Sequence, residues 1–166
     1  MSTILNTGIL NGLFEIGDLK VFKCSKSGSF KNFFFSPNIS IKLYNGKVTW
    51  IDGHSVSFCF NKYATIENNT ITVNDNLNLL ILLRNINEKL LLVYHQYKEK
   101  YGHDSTDIEP CLFYEKDTHF YIKCNIPDKK LKPTLNCTYQ SAVLDIRNIW
   151  EMPNKIGFRL ELKVLN

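Results

Sequence analysis

The chain has 166 residues, 44% of them hydrophobic and 13% aromatic, and a net charge of +4. That length suits one domain, 1–166, and the apolar share suits a packed core rather than a disordered chain. No apolar run reaches the ~20 residues of a membrane span, and the opening MSTILNTGILNGLFEIGD lacks the basic start of a signal peptide, so a cytoplasmic protein without a membrane role is expected.

Five cysteines (Cys24, Cys59, Cys111, Cys124, Cys137) are scattered with no CxxC pair, which fits a reducing compartment. The charge is uneven. From Lys116 onward there are nine Lys/Arg against five Asp/Glu, and that difference of four equals the whole net charge. A basic end permits an anionic partner without requiring one.

Along the chain, LKVFKC (19–24) alternates as a strand does. FKNFFFS (30–36) is an aromatic run that Ser36-Pro37-Asn38 is expected to end in a turn. ISIKLY (39–44) and KVTWI (47–51) flank Asn45-Gly46, a strong hairpin signal, and Asp52-Gly53 promises a second hairpin into SVSFCFN (55–61). TIENNTITV (65–73) reads as a small hairpin about Asn68-Asn69. The pattern then changes. Apolar residues at 79, 83, 86, 90, 93, 97 and 101 have helical spacing, with Gly102 as the stop, so one helix is expected over 77–101, and a strand-then-helix split near Arg84, where Asn85 and Asn87 interrupt the pattern, is the alternative. CLFYEKDTHFYIKCNIP follows as two strands about Glu115–Thr118, and DKKLKPTLNCTYQS as a basic loop. AVLDIRNIW (142–150) and IGFRLELKV (156–164) are two last strands about Met152-Pro153-Asn154.

This order predicts a mainly β protein: an antiparallel OB-like barrel with extra hairpins and one long α-helix inserted between strands. A split barrel or β-sandwich with one covering helix is the rival.

The chemistry-bearing motifs are few. His54 and Cys59, or His95 and His103, lack the repeated short spacing of a zinc site. No GxSxG elbow and no GxxxxGK[ST] loop occurs, and the HDSTD bunch (103–107) reads as a solvated loop. The expectation is a protein that is not an enzyme and needs no metal or cofactor. What stands out is aromatic and basic residues interleaved on outward strand faces: Lys42 with Tyr44, Tyr121 with Lys123, and Arg159 with Lys163. Single-strand binding uses that mixture, because flat side chains stack bases while cations follow the phosphates.

The run YEKDTHFYIKCNIPDKK…KP…SAVLDIRNIWEMPNKIGFRLEL resembles the single-stranded-DNA-binding proteins of large cytoplasmic DNA viruses and of cytoplasmic linear plasmids. The likeness lies in Tyr121-Ile122-Lys123 leading to Pro127 and Lys129-Lys130, in the strand closing on Ile149-Trp150, and in Gly157-Phe158 opening the last strand; it covers about the last 55 residues. It implies an OB-fold that coats exposed single strands during replication, in the host cytoplasm. On this reading Tyr44, Trp50, Tyr121 and Trp150 stack bases. Lys42, Lys123, Lys129, Lys130, Lys132, Arg147 and Arg159 meet phosphates. The partners are single-stranded DNA, with RNA as the alternative nucleic acid, other copies of the chain and replication proteins. The competing reading is a structural or interaction β-module, such as a virion component, whose aromatics face protein.

Overall fold

The computed structural model describes residues 2–6, 19–63, 65–67, 69–72, 76–104 and 107–165. Strand makes up 54%, and among the described residues there is one helix, so the chain is mainly β. The elements are β1 (Ser2–Asn6), β2 (Lys20–Ser27), β3 (Phe30–Asp52), β4 (Ser55–Asn61), β5 (Thr65–Glu67), β6 (Thr70–Thr72), α1 (Asn76–Lys100), β7 (Tyr114–Lys116), β8 (His119–Asn125), β9 (Thr138–Met152) and β10 (Lys155–Val164).

β3 organises the sheet. β9 pairs antiparallel along one edge of it from Lys31 to Lys47. The other edge takes β2, then β1, then β4, end to end. Five strands form a ring in the order β3-β4-β8-β10-β9 and back to β3. Its seam is narrow: β8 and β10 meet in parallel at a single pair, Asn125 and Glu161. β1 also lies parallel to β3, so the sheet is mixed and the expected all-antiparallel arrangement is corrected. β1 itself falls in a segment whose sequence showed no strand signal.

Two expected turns are also corrected. β3 runs straight through Ser36-Pro37-Asn38, and the irregularity is absorbed as a register shift between Phe34 and Ile39 against β9. At Asn45-Gly46 no hairpin forms. Asn45 takes a φ of 56° and the strand kinks but continues, because β9 carries the pairing past the kink to Lys47. Gly46 is required there: a Cβ on it would lie 1.9 Å from the Phe58 ring. The Asp52-Gly53 hairpin, the 65–72 hairpin and the turn after Met152 are where the sequence placed them, and the turn expected over Glu115–Thr118 tightens to Asp117-Thr118 because Glu115 and Lys116 pair with Phe120 and His119.

The strands alternate as their patterns require. Phe33, Phe35, Phe58, Phe60 and Phe120 are buried inside, with Phe60 and Phe120 stacked 5.2 Å apart. Burying such a ring stabilises the fold by roughly 1.5–3 kcal/mol. α1 adds Leu79, Leu82, Leu83, Ile86 and Leu90 to the same core. It ends at Gly102, whose φ is 67°, with Gly102 N–H donating to Glu99 and His103 N–H to Lys98, the paired bonds of a Schellman cap.

The buried stripe of α1 departs from the expected one in its last turns. Tyr94 and Lys98 go inside rather than Tyr101, because β9 presents Glu151 to them. Tyr94 Oη donates to Glu151 Oε2 at 2.6 Å, and Lys98 Nζ lies 3.2 Å from Glu151 Oε1. Among the described residues no helix is long and apolar enough to cross a membrane.

Candidate nucleic-acid interface

α1 covers the inner side of the sheet, not the outer. At one end Arg84 donates to Glu115 on β7 at 2.7 Å. At the other, Tyr94 and Tyr97 pack on Phe33 at 5.0 and 6.0 Å. Glu115 pairs in register with buried Phe120, so the residues alternating with these, Tyr114 and Tyr121, stand on the uncovered face.

That outward face is built by registers. The two-residue turn after Lys116 sets Tyr114 opposite Tyr121. β4–β8 pairing sets Cys59 beside Tyr121 and Ser57 beside Lys123. β3–β4 pairing sets Lys47 beside Cys59 and Trp50 beside Ser57, across a bulge at Thr49. The outcome is two adjacent rows: Tyr114, Tyr121, Cys59 and Lys47, then Lys123, Ser57 and Trp50.

Within these rows Tyr114 and Tyr121 stack at 5.3 Å and 23°. Lys123 Nζ lies 5.6 Å from the Trp50 ring centre and 5.9 Å from that of Tyr114. These distances fall within cation–π range, roughly 0.5–1 kcal/mol each at an exposed site. Trp50 and Tyr114 are each 45% exposed. Beside them, between the diverging β8 and β10, runs a groove of about 230 Å³ lined by Trp50, Lys123, Asn125 and Phe158. The site is thus two open aromatic surfaces with an ammonium between them.

Titration at the site follows from position. Burial raises the Tyr114 phenol above its usual value, and the neighbouring Cys111 and Tyr121 add to the shift. Burial likewise raises the Cys59 thiol, while Cys124, inside, is pushed up to about 12. On the opposite face of β7, the hydrogen bond from Lys62 holds the Glu115 carboxyl below its usual value, assisted by Arg84. Neither row carries a carboxylate.

Of the residues singled out in the sequence, Trp50, Tyr121 and Lys123 come together directly. Lys129, Lys130 and Lys132 are exposed on the loop from β8 to β9. That loop is tied at both ends to the hairpin that carries Trp50: Ile126 N–H donates to His54, and Asn136 N–H donates to Val48.

Lys42 and Tyr44 form a pair of their own, 5.6 Å from ammonium to ring centre, on the stretch of β3 before the Asn45 kink. Arg147 and Arg159 bracket a carboxylate, lying 3.8 and 3.3 Å from Glu161. Trp150 is half-buried on a different outward face, stacked on Phe30 at 6.4 Å and 9°.

Sequence reasoning missed Tyr114 and Lys47. Counting back from the Asp117-Thr118 turn would have found Tyr114. Lys47 was hidden by the bulge at Thr49. Among the described residues no group of three His, Cys, Asp or Glu side chains is gathered to hold a metal ion.

Comparison with protein-family models, with curated proteins and with solved structures gave no match. The fold and the surface therefore define the class on their own terms: a mainly β ring with an aromatic–basic outer face.

Proposed function

We propose that this chain is a non-catalytic single-stranded-DNA-binding protein. It holds the strand by base stacking on Trp50, Tyr114 and Tyr121 and by phosphate contacts from Lys123, Lys47 and the loop lysines 129, 130 and 132. The observation that carries this reading is the Lys123 ammonium set between the Trp50 and Tyr114 rings on an uncovered sheet face.

The ring supports an OB-type reading of the fold. In OB-type barrels the outer face of the second and third strands binds oligonucleotides, flanked by the loops after the first and fourth strands. In this ring the second and third strands are β4 and β8; β8 carries Tyr121 and Lys123, and β4 sets Cys59 and Ser57 beside them. The flanking turns are Gly53-His54 and Pro153-Asn154. One departure is that α1 precedes the third ring strand, whereas an OB-fold commonly places its helix before the fourth. The resemblance of the C-terminal run supplies the biological role, coating exposed strands during DNA replication in the cytoplasm.

The test is a fluorescence titration with oligo(dT). Base stacking should quench Trp and Tyr emission, and Tyr121→Ala with Lys123→Ala should weaken binding by about 2–4 kcal/mol at unchanged melting temperature. Equal binding by the double variant at low salt would sink the proposal. Parallel titration with oligo(rU) ranks RNA against DNA. Binding to protein with no salt slope, and none to either oligonucleotide, would favour the interaction-module reading.

A further inference from the structure

A second outward face lies across the seam, on β2, the first part of β3, the end of β9 and the start of β10. Phe33, Phe35, Ile149 and Leu160 of these strands are buried, so the alternate residues point out. A bulge in β2 puts both Phe22 and Lys23 opposite Phe34. The Phe22 and Phe34 rings are 6.1 Å apart, and Lys23 Nζ lies 5.9 Å from the Phe34 centre. One row further on, Trp150 stacks on Phe30 and lies over Gly157, where a Cβ would come within 2.7 Å of the indole. Phe22 is 53% exposed.

We infer that a bound single strand continues from the Trp50–Lys123 groove over the seam onto this second stacking face, an extension that rests on the reading proposed above. Three observations carry it. First, the two faces are joined by cations. Asn125 and Glu161 pair across the seam, and two residues earlier on each strand stand the exposed Lys123 and Arg159. Second, the charge suits phosphate. Among the described outward positions of this face, from Lys23 to Arg159, there are three cations (Lys23, Lys155, Arg159) and no carboxylate. Glu151 is turned inward to Lys98, and Glu161 at the border is held by Arg147 and Arg159. Third, the ammonium-over-ring device of Lys123 and Trp50 recurs in Lys23 and Phe34. The aromatics alone would also suit a protein interface; the three cations without a carboxylate are what favour a polyanion. From β8 to β2 the path crosses four strand spacings, about 19 Å. At about 3.4 Å or more per nucleotide along one strand, that reach holds about six nucleotides at most, in the lower part of the ~4–16 bound by one such domain.

The experiment compares oligo(dT) at the short and long ends of that range on the full chain. The variants are Trp50→Ala, Phe22→Ala with Phe34→Ala, and Lys23→Glu. The expected result is that Trp50→Ala weakens both lengths. The Phe22/Phe34 pair and Lys23→Glu should each weaken the long oligonucleotide at least about fivefold and leave the short one unchanged. If the Phe22/Phe34 pair lowers both lengths together with the melting temperature, the exposed Lys23→Glu decides, and its silence on the long oligonucleotide overturns the inference. Long-oligonucleotide binding that ignores all second-face variants but responds to Trp50→Ala overturns the extension alone. Wild type that binds neither length removes the underlying reading and the extension with it. A dimer in sedimentation that Lys23→Glu dissolves would assign the face to a second copy and overturn the inference.

Discussion

Lys123 sits with its ammonium 5.6 Å from the centre of the Trp50 ring, although 73 positions separate the two in the chain (123 − 50). Ser57 of β4 lies between them in register, so two antiparallel pairings are needed to bring them together. Trp50→Ala is therefore expected to cost about 1–3 kcal/mol in oligo(dT) affinity, the worth of one stacked base. Trp50→Phe should retain part of the affinity and lose most of the fluorescence quench. Trp50→Ala binding with wild-type affinity would remove the indole from the site.

The loop lysines should act through phosphate alone. Replacing Lys129, Lys130 and Lys132 together by Ala should flatten the log–log dependence of affinity on salt by up to about 2, at roughly 0.7 per lost phosphate contact on a single strand. Titrations at several salt concentrations check this. An unchanged slope would place the strand away from the loop.

The buried group formed by Tyr94, Lys98 and Glu151 holds the last turns of α1 on β9. Glu151→Gln leaves Lys98 without its counter-charge inside the protein and should cost about 3–5 kcal/mol of stability. Lys98→Met combined with Glu151→Leu removes both charges and should be far milder than the single change. Chemical denaturation of the three proteins reads this directly.

Gly46→Ala should destabilise by about 1–3 kcal/mol or more, since its Cβ would land on the Phe58 ring and Phe58 is wholly buried. A melting temperature equal to wild type would mean that the strand kink relaxes more readily than the packing suggests.

His103 stacks on Tyr97 at 5.8 Å and meets the edge of Phe33. Burial, followed by the nearby Lys31 and Lys98, lowers its pKa from the ordinary 6.5. Below 6.5 the unfolded chain takes up a proton that the folded chain resists, so stability falls as pH drops from 6.5 toward the folded value and levels off beneath it. His103→Phe keeps the ring and cannot titrate. The stability difference between wild type and this variant should shrink or reverse between about pH 7.5 and pH 5 in the sense of wild type losing ground. Melting curves at both pH values decide it, and a pH-independent difference would show that the ring is not buried against Tyr97 in solution.

Much of the secondary structure was legible because it depends on near neighbours. The Leu-rich 3–4 spacing and Gly102 bound α1 to within one residue at each end. The alternation of Val56, Phe58 and Phe60 fixed β4 and its inner face. What failed was local punctuation overridden from a distance. Asn45-Gly46 and Ser36-Pro37-Asn38 are turn sequences, yet β9 pairs on both sides of each and keeps β3 a single strand. Lys98 is a surface residue by composition and is buried because Glu151 is there to meet it.

The candidate site divides in the same way. By itself the sequence determined that Tyr121 and Lys123 share an outward strand face, that the basic residues gather late in the chain, and that Phe33 and Phe35 turn inward. These follow from a period of two, which any strand obeys. Only the tertiary structure decided which of the aromatic and basic residues meet. It set Trp50 and Tyr114 around Lys123, laid Arg147 and Arg159 against Glu161, and moved Trp150 to another face beside Phe30. It also put α1 on the inner side, leaving Tyr121 uncovered. Those outcomes rest on strand registers and bulges between segments far apart in the chain, and a one-residue shift in any of them would turn a side chain to the opposite face.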